Sequence, residues 1–360
     1  MNKAIISAAL ALCCVAGAAA QGSATAKYMV NFYGQIKSDF VYDKHGVTGD
    51  DYMQYVASER NLDRDFRASA RGTRFGLDIT DGDKVSAKIE TDLRGDDTGN
   101  AGMRLRHAYV TMKGGKWEIL AGQTWHLLPL EFSGTNNEFA LGYSGVLWMR
   151  TPQLRATYKA GDKLSFAAAL AHPTRVPVDN NGTASGLPQA QAQVQYKAGK
   201  ARFTLMGAYG KWRNTTDMKI GEVQLVDLGY NIPLGPMLTL NGQVWTGQNL
   251  YDFLGGIGQM GYGGGEVKAS GGFANLAIRP AGRYSYNLAY GVDNPVDSTV
   301  PASATAKTKN TTLLANVGCV AYDKVTVTLE AAKQTTEYKL TTGYNELDNL
   351  HYQLSFRFPF

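Results

Sequence analysis

The chain has 360 residues, a formal net charge of +5 and a mean hydropathy of −0.25. After the N-terminal segment it lacks the run of about 18 apolar residues that a membrane helix needs, and its charge is too mild to indicate a nucleic-acid partner. The 41 glycines, 20 tyrosines and 13 phenylalanines favour turns and half-buried strands, so we expect an all-β fold.

The first residues have the pattern of a cleaved secretory signal peptide. Lys3 precedes a short apolar run, and this run ends in three small alanines. We assign the signal to residues 1–20, a short N-terminal segment to 21–27 and one folded domain to 28–360. Once the signal is removed, Cys319 is the remaining cysteine, so no internal disulfide is expected.

About sixteen segments of the mature chain alternate polar and apolar residues with a period of two. Each is close to the ~9–11 residues that a tilted strand needs to cross a bilayer. The clearest examples are residues 28–43, 84–94, 189–196 and 350–360. In two other segments, 103–112 and 220–231, the apolar set changes face, which indicates either a β-bulge or a misread register.

The connectors between these segments alternate between short and long. Seven are tight and turn-like, such as DGDK at Asp81 and KAGK at Lys197, whereas the others are mostly long. A barrel with short periplasmic turns and long external loops explains this alternation, and a soluble sandwich does not. We therefore predict a transmembrane antiparallel up-and-down β-barrel of about sixteen strands in the bacterial outer membrane, with both termini on the periplasmic side.

The last strand should close the barrel by pairing with the first, because every backbone group inside a bilayer must be hydrogen-bonded. Its leucines and aromatic residues occupy every second position and would face lipid. The terminal Phe360 looks like the signal by which outer-membrane insertion machinery recognises a C-terminal strand. That machinery is thus an expected partner.

Motifs for catalysis or cofactor binding are weak. The string GIGQMG, from Gly256 to Gly261, fits the dinucleotide pattern G-x-G-x-x-G, but no parallel strand precedes it and no helix-forming run follows. The five histidines are scattered, with no pair at metal-ligand spacing. We expect no catalytic residue, metal or cofactor, and therefore no enzyme.

Cationic residues on the polar phase of the strands carry the strongest functional signal. Such groups in a narrow water-filled bore would concentrate anions, and the arginine fork matches carboxylates. For any single residue, an ordinary charged and solvated wall is the alternative. The residues that we expect to line the pore are Arg71, Arg74, Lys88, Arg104, Arg106, Arg150, Arg155, Arg202 and Arg357.

The segment that leads into the second strand can be interpreted in two ways. Arginines recur at intervals of three or four between Arg60 and Arg74, and this spacing also fits a short helix with its arginines along one stripe. We expect a loop or helix to about Arg67 and a strand after it.

The third external connector, residues 126–149, is unusually apolar for a long surface loop. It should therefore pack on another surface, and a hollow barrel offers its inner wall. The segment LPLEFSG, Leu128 to Gly134, resembles the tip of the constriction loop in trimeric outer-membrane porins. This resemblance implies a loop folded into the lumen, with Glu131 and Glu138 facing the arginines.

Further segments resemble DcaP-like porins: VNFYGQIKSDFVYD (Val30 to Asp43), RLRHAYV (Arg104 to Val110), LAGQTW (Leu120 to Trp125) and LWMRTPQLR (Leu147 to Arg155). The resemblance implies a homotrimer of sixteen-stranded barrels in the lipid bilayer that admits small anionic solutes, dicarboxylates among them. A passive porin is thus the leading hypothesis. The alternatives are a non-conducting structural or adhesive barrel that binds a partner through its external loops, and a barrel enzyme.

Overall fold

The computed structural model describes residues 27–49, 52–60, 63–95, 101–132, 134–139, 141–301, 303 and 305–360. The proposed signal peptide and almost all of the short segment after it lie outside these residues. The helices of the described part are short 3-10 segments: Ser58–Arg60, Pro177–Asp179, Leu250–Phe253, Gly256–Gly258 and Asp297–Thr299. None of these is long and apolar enough to cross a bilayer.

Seventeen strands form one antiparallel sheet. In chain order they are β1 Met29–Asp43, β2 Asp65–Ser69, β3 Arg74–Thr80, β4 Val85–Asp92, β5 Arg104–Gly114, β6 Trp117–Trp125, β7 Arg150–Lys159, β8 Leu164–Ala171, β9 Gln189–Ala198, β10 Ala201–Arg213, β11 Ile220–Pro233, β12 Leu238–Gln248, β13 Lys268–Ile278, β14 Tyr284–Pro295, β15 Lys307–Tyr322, β16 Val325–Lys339 and β17 Tyr344–Pro359. From β3 onward, each strand pairs with the next one in the chain.

The strands β2 and β3 share one position in the barrel. Both pair with β1, β2 along its second half and β3 along its first half. A turn separates them, in which the Thr73 N–H donates to the Ala70 carbonyl at 3.0 Å. The barrel therefore has sixteen strand positions, which confirms the predicted architecture.

The last strand closes the barrel on the first. The register runs from Gln35 opposite Pro359 to Asp43 opposite His351. Beyond it, Gly34 and Phe360 exchange two backbone hydrogen bonds, each of 3.0 Å. This closure removes the free sheet edges, as a bilayer requires.

Burial alternates along the strands in the predicted phase. In β9, Gln189 and Gln191 are buried while Ala190 and Ala192 are exposed. In β17, from Leu350 to Phe358, the leucines and aromatic residues are exposed and the residues between them are mostly buried. The polar side chains thus form the inner face of the barrel and the apolar side chains its exterior, as in outer-membrane barrels.

The two segments of doubtful register differ. Along β4 and β5, Glu90 is opposite His107 but Thr91 is opposite Leu105, so Arg106 is an extra residue. This β-bulge places two consecutive residues, Arg106 and His107, in buried positions. By contrast, β11 pairs with both neighbours without a shift. Its apolar set changes face because Val223 and Leu225, near the loop-bearing end, are buried in one cluster with Leu250 and Phe253 of the connector 249–267.

The helical reading of the first connector holds only for one short turn. The 3-10 segment ends at Arg60, and β2 already begins at Asp65, so Arg67 lies in a strand. In β2, exposed residues alternate with half-buried ones, which fits a strand better than a helical stripe. Arg71 lies in the turn between β2 and β3.

The seven predicted turns lie at one end of the barrel, each between the two strands expected to flank it. The opposite end carries the long connectors, including residues 126–149, 172–188 and 249–267. The connector between β16 and β17, residues 340–343, is an exception, because it is short although it lies at the loop-bearing end.

Candidate functional site

The long connector 126–149, here called loop L3, is held by two apolar clusters. Its first part, with Leu127 and Leu128, packs with Met206, Trp212, Trp245, Leu250 and Phe253. Its second part, with Phe139, Leu141, Tyr143 and Trp148, packs with Met53, Ile257, Phe273 and Leu314. The apolar residues of this loop therefore pack it against the strands and the other loops.

The tip of L3 is bound by polar side chains of the strands. The Asn241 amide donates to the Phe132 carbonyl at 2.7 Å. The amides of Asn287 and Asn316 donate to the Gly134 carbonyl at 3.2 and 3.0 Å. These contacts fix the backbone of the tip against β12, β14 and β15.

Glu330 on β16 provides the strongest of these attachments. Its carboxylate, which is fully buried, accepts the backbone N–H groups of Asn136 at 2.5 Å and Asn137 at 2.9 Å. A third hydrogen bond comes from the Asn316 amide at 2.9 Å. Glu330 could not be selected from the sequence, because it is one of several polar residues that alternate along β16 and the pattern does not set it apart from them.

Arg104 and Arg106 are both engaged by carboxylates of the adjacent strand β4. Arg104 binds both oxygens of Asp92, at 3.1 and 2.6 Å. Arg106 donates to Glu90 at 2.6 Å and to Asp92 at 2.9 Å. Two cations thus face two anions, so the local charge of this predicted anion-attracting pair is largely compensated.

The two predicted glutamates of L3 lie in different surroundings. Glu131 is buried and contacts Arg202 on β10, with a 3.0 Å hydrogen bond from Arg202 Nε, and Asn231 on β11 at 3.1 Å. Glu138 instead lies beside the arginines of the opposite wall and accepts a 3.2 Å hydrogen bond from Arg94 Nε. Glu138 is thus the L3 carboxylate nearest to those arginines.

The pKa of Glu138 is lowered below its ordinary value of 4.5. Burial by itself would raise this pKa, because it penalises the charged form. The positive charges of Arg94, Lys37 and Arg106 outweigh the burial and hold the carboxyl group ionised. L3 therefore contributes a persistent negative charge at this point.

Three further predicted residues are bound to nearby groups. Arg150 is buried and its guanidinium lies 4.3 Å from the ring centroid of Trp125. Arg155 donates to Gln153 at 3.0 Å, and Lys88 forms a 2.8 Å ion pair with Asp78. Arg71, which lies in the turn between β2 and β3, is half-buried.

A cavity of about 580 Å³ lies between the tip of L3 and the strands. Among the described residues, the guanidinium groups of Arg74 and Arg357 have no hydrogen-bond partner there. Glu90 and Glu138 also border the cavity. The cationic residues in its wall are Lys37, Arg74, Arg106, Arg279 and Arg357. Five cations therefore face two carboxylates, and the lining is net positive.

Two of these cations, Lys37 and Arg279, were not selected from the sequence. Lys37 was recognisable on the polar phase of the first strand, where it donates to the Asn136 carbonyl at 2.9 Å. Arg279 follows the last residue of β13, where alternation gives no clear face, and it donates to Asn287 at 3.0 Å. Within the described ranges, no cluster of three metal-binding side chains occurs.

A closed barrel of sixteen strand positions, with a polar inner face, a cationic cavity and an apolar exterior, defines an outer-membrane β-barrel channel. A model of the family described as Gram-negative porin matches residues 7–360, and the chain belongs to this family. Its location is accordingly the bacterial outer membrane. No curated protein sequence matches the chain significantly.

Several solved structures are similar to the chain. The outer membrane channel DcaP of Acinetobacter baumannii has 19% identity and a TM-score of 0.77, over 94% of this chain and 99% of that one. An anion-selective porin from Comamonas acidovorans has 13% identity and a TM-score of 0.66, over 92% and 100%. The trimer form of OmpT from Vibrio cholerae has 14% identity and a TM-score of 0.62, over 92% and 99%. The likeness concerns the fold.

Proposed function

We propose that the chain is a passive porin for small hydrophilic solutes, preferentially anions and including dicarboxylates, and that L3 narrows its bore. The observation that carries this proposal is the net positive lining of the cavity beside L3. Diffusion through such a pore needs weak contacts at several sites rather than one tight binding site.

The attachment of L3 to many strands supports its position inside the barrel. Its tip hydrogen-bonds to inner-face side chains of six of the seven neighbouring strands from β12 to β1, namely β12, β14, β15, β16, β17 and β1. The side chains are Asn241, Asn287, Asn316, Glu330, Gln353 and Lys37. Contacts with the inner face over this arc support a loop that crosses the space that the strands enclose.

The selectivity is assigned mainly to arginines of the cavity wall that donate no hydrogen bond to a carboxylate among the described residues. Arg74 and Arg357 have no hydrogen-bond partner among the described residues, and Arg279 donates only to neutral oxygen atoms. These groups remain available for a passing anion. Arginine forks bind the two oxygens of a carboxylate in a bidentate manner, which favours solutes with carboxylate groups over monatomic halide ions, because a halide offers no second acceptor atom.

We infer a homotrimer as the assembly. The trimer form of OmpT, which shares the fold, and the resemblance to DcaP-like porins both support this inference. Chemical cross-linking in native outer membranes should yield a ladder that ends at three chains. Cross-linking that yields only single chains would contradict the trimer but would not contradict the porin proposal.

The porin proposal is tested by single-channel recording of the folded protein in a planar bilayer. We expect current steps in groups of three and reversible interruptions when succinate is added. A correctly folded, heat-modifiable barrel that carries no current would overturn the proposal. That result would favour the non-conducting adhesive barrel instead.

A further inference from the structure

Seven lysines lie side by side at the end of the barrel that carries the tight turns. They lie in the four turns that join β3 to β4, β5 to β6, β7 to β8 and β9 to β10, or at the strand ends beside these turns. All seven are exposed. We call them the lysine row: Lys84, Lys113, Lys116, Lys159, Lys163, Lys197 and Lys200.

Backbone hydrogen bonds make lysines of successive turns direct neighbours. The Lys113 N–H donates to the Lys84 carbonyl at 2.8 Å, and the Lys159 N–H donates to the Lys116 carbonyl at 2.9 Å. The Lys197 N–H donates to the carbonyl of Lys163 in the same way, at 2.8 Å. Among the described residues, no member of the row forms an ion pair. The acidic residues in or beside these turns, Asp81, Asp83, Glu118 and Asp162, number four against seven lysines, and like charges on paired positions repel. The row therefore favours an external counter-charge.

Aromatic residues place the row at the depth of lipid headgroups. Trp117 follows Lys116, and Tyr158 precedes Lys159. The rings of Trp117 and Tyr158 lie on paired positions, with centroids 4.9 Å apart. Tyr196 repeats this arrangement beside the next turn and is exposed, as Trp117 is. Such aromatic girdles mark the membrane–water interface of outer-membrane barrels.

We propose that the lysine row binds the phosphate groups of anionic phospholipids in the periplasmic leaflet. The short turns lie on the periplasmic side in this class of barrel. Flexible lysine stems can lie along the apolar exterior while their ammonium groups reach phosphates at the interface. Because the anions lie in the membrane plane, one leaflet of lipid can neutralise neighbouring turns simultaneously. This inference concerns the exterior of the barrel and does not depend on pore selectivity.

Trp117 provides a local probe for this proposal, because it is the tryptophan next to the row and is 54% exposed. The folded protein is placed in phosphatidylcholine vesicles that contain a minor fraction of brominated phosphatidylglycerol. Bromine quenches nearby tryptophan fluorescence, so the quenching reports the lipid composition beside the row. We expect phosphatidylglycerol to be enriched at least about threefold over the bulk, and the enrichment to disappear in about 1 M salt.

Two charge-matched variants test the role of the row. The first replaces Lys113, Lys116, Lys159 and Lys163 by glutamine. The control replaces four lysines near the loop-bearing end, Lys211, Lys219, Lys309 and Lys333, by glutamine. Enrichment should fall to the bulk value in the first variant and persist in the control. If this quadruple variant of the row does not fold, the Lys116→Gln/Lys159→Gln double variant takes its place. The double variant should lose part of the enrichment.

Three outcomes would overturn the proposal. One is the absence of enrichment around the unaltered protein, and another is full enrichment around a folded glutamine variant. The third is lysine-dependent sedimentation with peptidoglycan sacculi in the absence of lipid enrichment, which would assign the row to the cell wall.

Discussion

Replacing Glu330 by glutamine should loosen the tip of L3 while leaving the barrel closed. The buried carboxylate accepts two backbone N–H groups of the tip, from Asn136 and Asn137, and one side-chain amide. Hydrogen bonds to a charged acceptor contribute about 1.5–3 kcal/mol each. These bonds therefore dominate the attachment of the tip to β16.

Glutamine keeps one acceptor oxygen but turns an amide donor toward another donor, so at least one of these bonds is lost. A loss of about 2 kcal/mol raises the population of the released tip roughly 30-fold. Because β16 keeps its backbone pairing with β15 and β17, the barrel itself should remain folded and heat-modifiable.

Hydrogen exchange and single-channel current measure this release. The amides of Asn136 and Asn137 should exchange roughly 30-fold faster in the Glu330→Gln variant, and the open-channel current should become noisier. The control is Glu337→Gln on the same strand, where the carboxylate accepts a 2.6 Å hydrogen bond from Thr308 and does not contact L3. Unchanged exchange and current in folded Glu330→Gln protein would mean that Glu330 does not hold the tip of L3.

Three further predictions concern charge and closure. The lowered pKa means that Glu138 stays ionised as pH falls through the ordinary glutamate range, so its stabilising contribution is complete above pH 4.5 and is lost only in stronger acid. Conductance titrated with acid should therefore lack a Glu138-dependent step near pH 4.5, and a step there that Glu138→Gln removes would contradict this. Arg106→Ala should lower both the anion preference and the thermal stability, because Glu90 loses the arginine that donates to it at 2.6 Å. An unchanged melting curve would contradict this prediction. Deletion of Phe360 removes two hydrogen bonds with Gly34 and should slow folding, measured by heat-modifiability. The Phe360→Ala variant keeps these backbone bonds, so its folding should be slowed less. Equal folding defects in the two variants would argue against a role of the backbone bonds.

The barrel could be predicted because its main signals are local. Alternation in a strand such as Gln189–Ala198 needs only a period of two, and a turn such as the one at Asp81 needs only its own residues. There, one Asp81 oxygen accepts the N–H groups of residues 83, 84 and 85 at 2.9–3.0 Å. Closure then followed from the demand that a bilayer places on the backbone.

The pairing of side chains across strands could not be predicted, because it depends on register. A single extra residue at Arg106 decides which carboxylates its guanidinium meets. Likewise, Glu330 is nearly 200 residues from the loop tip that it binds, and only the closed barrel brings them together. Polar alternation identified the face of these residues but not their partners.

The reversal potential under a potassium chloride gradient reports directly whether the pore prefers anions. The measurement compares the unaltered protein with the Arg74→Gln/Arg357→Gln variant, and the control is Lys211→Gln/Lys333→Gln, which removes the same charge away from the cavity. We expect an anion-favouring potential that moves toward zero in the first variant only. A cation-favouring or neutral potential in the unaltered protein, or equal potentials in all three proteins, would contradict this expectation.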